Sequence, residues 1–154
     1  MALRTILLVT LPLWFMAAVA SAAPTVSVAD LAPDGGPLVV QLRREVARAR
    51  KRHLIPVVEI SADWCKPCIA IKRYLDDPQM VAAFTGVHLV RIQVDDWKTE
   101  DMATANIKIR GVPTFFALDP EGHATTATIT SSVWGEDIPD NMAPPLKRFF
   151  ATLK

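Results

Sequence analysis

Hydrophobic residues define three segments before the first cysteine. Ala23 to Pro37 is rich in proline, alanine and aspartate, which predicts an extended lead-in with a short strand at Thr25–Val28. From Leu38 to Ala49 apolar residues recur every three or four positions, which predicts an amphipathic helix with a basic face toward solvent. The short β-branched run Val57–Ile60 predicts a buried strand, and Glu59 lies inside it.

After the cysteines, helical and strand patterns alternate. Residues Cys65 to Phe84 have helical spacing, and Pro78 should interrupt or kink that helix. Val87 to Val94 predicts a second buried strand, and Thr99 to Ile107 predicts a helix after a turn at Asp95–Trp97. Strand–helix–strand units favour parallel pairing of their strands.

The last third of the chain predicts a hairpin, a loop and a closing helix. Strand patterns at Thr114–Leu118 and Thr125–Thr130 flank the turn Asp119–Gly122. Ser131–Asn141 is expected to be a loop, and Ala143–Leu153 a helix whose two prolines fit only its first turn. The sequence therefore predicts an α/β fold, with a mixed sheet of four to five strands and helices on both faces.

The first 22 residues have the pattern of a secretory signal peptide. Arg4 supplies the positive charge, Thr5–Val19 the apolar segment, and Ala20–Ala22 the small residues of a cleavage site before Ala23. The alternative is an uncleaved membrane anchor. Because the apolar segment is short for a span, which takes about 20 residues, we favour cleavage. We thus expect an exported or periplasmic protein with no membrane span after cleavage.

The rest of the chain is one domain of ordinary size, over 38–154 after the lead-in at 23–37. Of the 17 basic residues Arg4 lies in the signal segment, so the remainder has 16 basic and 16 acidic residues. This balance argues against nucleic acid as a partner.

The chain has only two cysteines, Cys65 and Cys68. A bridge between them would close a loop too small to stabilise the fold much, which favours a chemical role. Cys65 lies where a buried strand gives way to a helix, and unpaired N–H groups and the helix dipole favour a thiolate there. Lys66 adds positive charge, and Pro67 suits a first helical turn. Cys68 returns to the same helix face, within reach of Cys65.

The motif Trp64-Cys65-Lys66-Pro67-Cys68, followed by Gly111-Val112-Pro113-Thr114-Phe115, resembles the thioredoxin superfamily. The resemblance covers about residues 38–153 and implies a thioredoxin fold with thiol–disulfide exchange at the cysteine pair. It implies that the Val112–Pro113 bond is cis and lies against the cysteines. It also implies that the Val112 backbone pairs with bound peptide. Trp64, Lys66, Pro67, Val112 and Pro113 are accordingly the expected substrate-binding residues.

Glu59 lies six residues before Cys65. In similar proteins a buried Asp or Glu at this position relays the proton of the second cysteine, so the resemblance adds Glu59 to the catalytic residues Cys65 and Cys68. The alternative is a glutamate on an edge strand that reaches solvent. Its apolar neighbours favour a strand buried on both faces, where desolvation should raise the pKa of the carboxyl.

A further resemblance concerns Ala62–Cys65 and Tyr74–Val81, which are similar to the C-terminal periplasmic domain of DsbD-type transmembrane reductant conductors. It implies a reducing role and a membrane electron donor of that type as a partner. The Lys66-Pro67 dipeptide differs from the Gly-Pro of typical thioredoxins, which leaves the direction of exchange open. The longer loop Ser131–Asn141 is expected to lie near the cysteine face and to shape the choice of partner.

Two other functions remain open at this stage. One is a dithiol oxidase or isomerase of secreted proteins, and the other is a client- or copper-binding module without turnover. His53, His88 and His123 are scattered, and nothing near the cysteines completes a zinc site, so no metal or cofactor is expected. The leading hypothesis is a periplasmic enzyme that reduces protein disulfides.

Overall fold

The computed structural model of the chain describes residues 25–154. The predicted signal peptide and its cleavage site lie outside the described residues. The strands are β1 (Ser27–Leu31), β2 (Ile55–Ser61), β3 (Val87–Gln93), β4 (Thr114–Leu118) and β5 (Ala124–Thr130). The α-helices are α1 (Leu38–Lys51), α2 (Lys66–Arg73), α3 (Pro78–Ala83), α4 (Thr99–Thr104) and α5 (Pro139–Ala151). Among residues 25–154, no helix has the length and apolar composition needed to cross a membrane.

The strands form one mixed sheet in the order β1-β3-β2-β4-β5. β3 runs parallel to both β1 and β2, and β4 runs antiparallel to β2 and to β5. In the register, Glu59 of β2 lies beside Arg91 of β3 on one side and Phe115 of β4 on the other. The parallel and antiparallel pairings confirm the predicted mixed sheet. The central position of β2 accounts for the burial of Glu59.

Helices cover both faces of the sheet because successive strand residues point to opposite sides. On one face, Val58 and Val90 pack with residues of α1 and α4. On the other face, Val57 and Phe115 pack with residues of α2, α3 and α5, including Phe150. The helices therefore bury both faces of the sheet. The cysteine motif follows the C-terminal end of β2.

The first half of the chain differs from the predicted boundaries at its first strand. The strand expected at Thr25–Val28 is β1 at Ser27–Leu31, and its pairing with β3 makes part of the lead-in an edge strand. The helical region predicted at Cys65–Phe84 is interrupted before Pro78, as expected, and forms α2 and α3. Asp77 caps α3 by accepting the backbone N–H of Gln79 at 2.8 Å, immediately before Pro78.

Two later helices also differ from expectation. α4 ends at Thr104 rather than Ile107, because Asn106 adopts a positive φ of 60° that ends a right-handed helix. α5 begins at Pro139 rather than Ala143, so Pro144 and Pro145 lie inside the helix and not in its first turn. Pro145 is buried with Met142 and Leu146 against the sheet, and this packing offsets the lost helix hydrogen bonds.

Gly122 places the β4–β5 hairpin directly against α1. Its φ is +88°, and a Cβ at this position would lie 2.7 Å from the backbone N of Arg43. We predict that Gly122→Ala lowers the free energy of unfolding by about 2–4 kcal/mol, the sum of strained φ and backbone clash. Gly86→Ala is the control, because Gly86 has a φ of +83° with open space around it. Urea unfolding of both variants separates the two effects, and equal losses would remove the role assigned to the contact with α1.

Candidate active site

The cysteine pair lies at the start of α2, directly after the central strand β2. Cys65 and Cys68 form a disulfide with their Cα atoms 5.2 Å apart. Cys65 is the N-cap of the helix, and its Sγ accepts the backbone N–H of Cys68 at 3.3 Å. The same donor and the helix dipole would stabilise a thiolate on Cys65 after reduction. Pro67 stands within the first turn, where its missing N–H costs no hydrogen bond.

A second segment lies against the disulfide. The peptide bond between Val112 and Pro113 is cis. Val112 and Val94 pack against the small cluster formed by Ala62 and the two cysteines. The hydroxyl of Thr114 donates to the carbonyl of Gly111 at 2.7 Å, which fixes the loop that carries this bond. The segment 111–114 and the cysteine motif thus come together at one edge of the sheet.

Trp64 is the most exposed large apolar residue in the described part of the chain. Its side chain is 66% exposed. The indole Nε1 donates to Oδ2 of Asp95 at 2.6 Å, which holds the ring next to the cysteines. Asp95 was expected only as a turn residue. The sequence could not reveal this role because the pair is 31 residues apart and carries no local pattern.

Glu59, in the central strand β2, belongs to a buried ionic network. Its side chain is 0% exposed, and its Oε2 accepts a hydrogen bond from Nε of Arg91 at 3.0 Å. Arg91, itself 3% exposed, also contacts the exposed carboxylate of Asp30 through Nη1 at 3.3 Å. Burial raises the pKa of Glu59, and the charge and hydrogen bond of Arg91 oppose this rise without cancelling it.

The sequence predicted the burial of Glu59 but missed its partner. Arg91 lies in the apolar run of β3, and a charged residue in a strand buried on both faces needs an opposite charge. The parallel register that places it beside Glu59 depends on β1 and β2 flanking β3, which local spacing does not specify. Glu59 Oε1 and Arg91 Nη2 are buried, and the described residues supply neither of them with a hydrogen-bond partner.

Two shallow clefts flank the cysteine pair. One, of about 320 Å³, is lined by Lys66, Ile69 and Arg73 of α2 together with Asp137. The other, of about 350 Å³, includes Pro113 and residues from the segment after β5. The expected loop Ser131–Asn141 therefore reaches both clefts, although it is shorter than predicted because α5 begins at Pro139.

Comparison with known proteins decides the family. A family described as thioredoxin-like matches residues 39–120, more than half of the 154-residue chain. The chain belongs to the thioredoxin-like family. The region shared with this family runs from α1 into the β4–β5 turn and includes both cysteines.

Two curated relatives match parts of this thioredoxin-like chain. The thiol:disulfide interchange protein DsbD of Tatumella citrea is 30% identical over 87 residues, which are 55% of this chain and 15% of that protein. Thioredoxin-3 of Dictyostelium discoideum is 35% identical over 65 residues, 42% of this chain and 58% of that protein. The aligned region thus spans less than two thirds of either relative.

Solved structures agree with the thioredoxin fold. A disulphide isomerase from Xylella fastidiosa Temecula1 superposes with a TM-score of 0.55 at 20% identity, over 76% of this chain and 91% of that chain. A poplar thioredoxin h superposes with a TM-score of 0.52 at 20% identity, over 83% and 97% of the two chains. At these identities the likeness establishes the fold, which was the fold expected from the sequence.

Proposed function

We propose that this thioredoxin-like protein is an exported thiol–disulfide oxidoreductase that reduces protein disulfides in the periplasm. The observation that carries the proposal is the Cys65–Cys68 disulfide at the start of α2, with the Sγ of Cys65 facing the Cys68 N–H. This arrangement favours a reactive thiolate at Cys65 and places a second thiol beside it. The match to part of DsbD, a thiol:disulfide interchange protein, supports thiol–disulfide exchange as the reaction.

The reaction proceeds in two exchange steps. The Cys65 thiolate attacks one sulfur of a client disulfide, so that a mixed disulfide forms and the other client sulfur leaves as a thiolate. Cys68 then loses its proton and attacks the Sγ of Cys65, which releases the second client thiolate. The client gains two electrons, and the Cys65–Cys68 disulfide is regenerated for reduction by a donor.

Glu59 is the proton acceptor for Cys68 in this proposal. A carboxyl whose pKa is raised by burial accepts a proton near neutral pH more readily than an ordinary glutamate. Arg91 positions the carboxylate through the 3.0 Å hydrogen bond and leaves Oε1 free to receive the proton. Because a base acts in its charged form, the rate of this step should rise with pH through the raised pKa of Glu59.

We predict that Glu59→Gln slows release of the mixed disulfide by about ten- to a hundredfold and removes this rise with pH. The amide keeps an acceptor for Arg91, so the domain should remain folded. Stopped-flow measurement of the second step between pH 5 and 9 tests this. An unchanged rate and pH profile would leave Glu59 with a structural role only.

The client surface is proposed to comprise Trp64, Lys66, Pro67, Val112 and Pro113. The exposed Trp64 and the clefts on both sides of the cysteines support this assignment. In this proposal the Val112 backbone, in the segment before β4, pairs with an added strand of client peptide. Exposed apolar residues continue into the segment after β5, where Val133 is 53% exposed.

The segment after β5 is expected to contribute to recognition of folded clients. Its Trp134 is buried with α5, so deleting 133–137 would damage the core. We therefore predict that Val133→Ser lowers kcat/KM for a protein disulfide about fivefold, through about 1 kcal/mol of lost apolar contact, and spares a small disulfide. Val40→Ser on α1, where Val40 is 42% exposed, is the control. Equal losses with both substrates would remove this role.

The electron donor is proposed to be a DsbD-type membrane conductor. The experiment reduces the purified protein with such a conductor and then offers it a disulfide client in the absence of small thiols. Turnover of client thiols supports a reductase. Net formation of client disulfides would identify the oxidase or isomerase alternative, and tight client or copper binding without exchange would identify a binding module.

A further inference from the structure

A second cluster of reactive side chains lies on the α1 face of the sheet, away from the cysteines. The hydroxyl oxygen of Ser27 is 2.8 Å from Nδ1 of His88, and Nε2 of the same ring is 3.0 Å from Oε2 of Glu45. His88 and Glu45 are buried, at 5% and 4% exposure, whereas Ser27 is half-buried. The three side chains are connected in the same order as a catalytic nucleophile, its base and the carboxylate that orients the base.

A neighbouring arginine also contacts the Ser27 hydroxyl. Nη1 of Arg52 is 2.9 Å from the Ser27 hydroxyl oxygen, and a guanidinium can only donate. The Ser27 oxygen keeps its own hydrogen, and the hydroxyl donates it to Nδ1 in the His88 tautomer that has its ring hydrogen on Nε2. Nε2 then donates this ring hydrogen to Glu45. The second oxygen of Glu45 is held by Arg48 at 2.5 Å, so the carboxylate is fixed on both sides.

The cluster opens into a cleft of its own. Ser27, His88 and Glu45 line a cavity of about 390 Å³ whose remaining polar wall is basic, with Arg48, Lys51 and Arg52. Ser27 and His88 lie at the start of their strands, whereas the cysteines follow the far end of β2. About five residues of strand, roughly 17 Å, separate the two ends of the sheet. The cleft is therefore distinct from the proposed exchange site.

We propose that this cleft is an acyl-transfer site, in which Ser27 is the nucleophile, His88 the base and Glu45 the positioning residue, for esters that carry a negative charge. The Ser27 oxygen forms a bond to the ester carbonyl carbon, and its proton passes to Nδ1 of His88. Arg52, whose Nη1 is 2.9 Å from the Ser27 oxygen, supplies positive charge next to the attacking atom, which favours the negative charge that develops during the attack. The C–O bond of the ester breaks, and the alcohol leaves with the proton from His88. His88 then takes a proton from water, and the hydroxide bonds to the acyl carbon. The bond between the acyl carbon and the Ser27 oxygen breaks, the acid leaves, and His88 returns the proton to Ser27.

The basic wall defines the substrate class. A positive cleft raises the local concentration of anions and disfavours cations. An acyl group with a carboxylate of its own, such as a succinyl half-ester, fits the combination of a nucleophile and three cationic side chains. A neutral ester of similar length should be a poorer substrate.

The experiment uses the exported chain with its disulfide intact. A fluorophosphonate probe is followed by intact-mass and peptide mass spectrometry, and 4-nitrophenyl hemisuccinate hydrolysis is compared with that of 4-nitrophenyl butyrate. We expect one adduct on Ser27 and at least a tenfold preference for the hemisuccinate. Ser27→Ala should lose the adduct and at least a hundredfold in hydrolysis, while Ser132→Ala, a serine outside the cleft, should keep both.

Three further variants separate a reactive site from a structural hydrogen-bond cluster. His88→Gln should slow labelling of Ser27 at least tenfold, and the unfolding midpoint of each variant shows whether it is folded. Lys51→Gln should reduce the preference for the anionic ester, whereas Arg50→Gln, outside the cleft wall, should not. Labelling no faster than in the urea-unfolded chain, or equal hydrolysis by Ser27→Ala, would overturn the proposal.

Discussion

Cys65→Ser should abolish disulfide exchange, whereas Cys68→Ser should retain the first step and accumulate mixed disulfides. Cys65 is the cysteine at the helix N-terminus, and its sulfur accepts the backbone N–H of Cys68. A thiolate at this position would be stabilised, so loss of this sulfur should lower the exchange rate by at least about a thousandfold. Without Cys68, the mixed disulfide on Cys65 has no internal thiol to resolve it.

Intact mass after incubation with a disulfide client measures both outcomes. The Cys68→Ser protein should carry one client adduct on Cys65, and the Cys65→Ser protein should carry none. A double variant, Cys65→Ser with Cys68→Ser, gives the background. Adducts on Cys68 of the Cys65→Ser protein, at a rate equal to that of Cys65, would reverse the assignment of the nucleophile.

Arg91→Met should be the most destabilising single substitution of the buried network, by about 3–5 kcal/mol at neutral pH. It leaves the fully buried Glu59 without its charge partner. The pKa of Glu59, already raised by burial, then rises further because the opposing effect of Arg91 is gone. The folded state must either hold an unpaired charge or take up a proton, and both cost free energy.

The loss caused by Arg91→Met should grow with pH. Between the ordinary pKa of a glutamate and the raised pKa of Glu59, the folded state binds more protons than the unfolded state, so stability falls as pH rises. Removing Arg91 widens this window toward higher pH. Near pH 4, where Glu59 is largely protonated in both states, the loss should shrink.

Urea unfolding at pH 4 and pH 8 tests this dependence. Glu59→Leu combined with Arg91→Met should recover most of the stability, because an apolar pair of similar volume replaces the ion pair. Asp30→Asn is the control and should change stability by less than about 1 kcal/mol, since the Asp30 side chain is 69% exposed. A loss from Arg91→Met that is independent of pH would contradict the role assigned to Glu59.

Local sequence signals predicted the order of the elements and the position of the cysteine pair at the start of a helix. The β-branched runs predicted β2 to β5, and the Cys-x-x-Cys motif predicted a strand-to-helix transition that the structure has. The boundaries that moved depend on tertiary packing. Pro145 lies inside α5 because the helix buries it against the sheet, which outweighs the propensity of proline to end a helix.

Contacts between distant residues were beyond the reach of local patterns. Arg91 meets Glu59 across 32 positions, and Ser27 meets His88 across 61. Both pairs depend on β3 lying between β1 and β2, an order that the sequence of elements does not fix alone. Buried charged residues in apolar strands were the signal for these contacts. Once the sheet order is known, each such residue has a partner in the neighbouring strand.

The reduction potential of the Cys65–Cys68 pair tests the central claim most directly. The protein is equilibrated with glutathione buffers, and the oxidised and reduced forms are separated by mass after thiol alkylation. A reductase requires a potential near that of thioredoxin, about −270 mV, so that the dithiol donates electrons to clients. A potential near about −120 mV, that of a strong dithiol oxidase, would mean that the disulfide is the reagent and would contradict the reducing role.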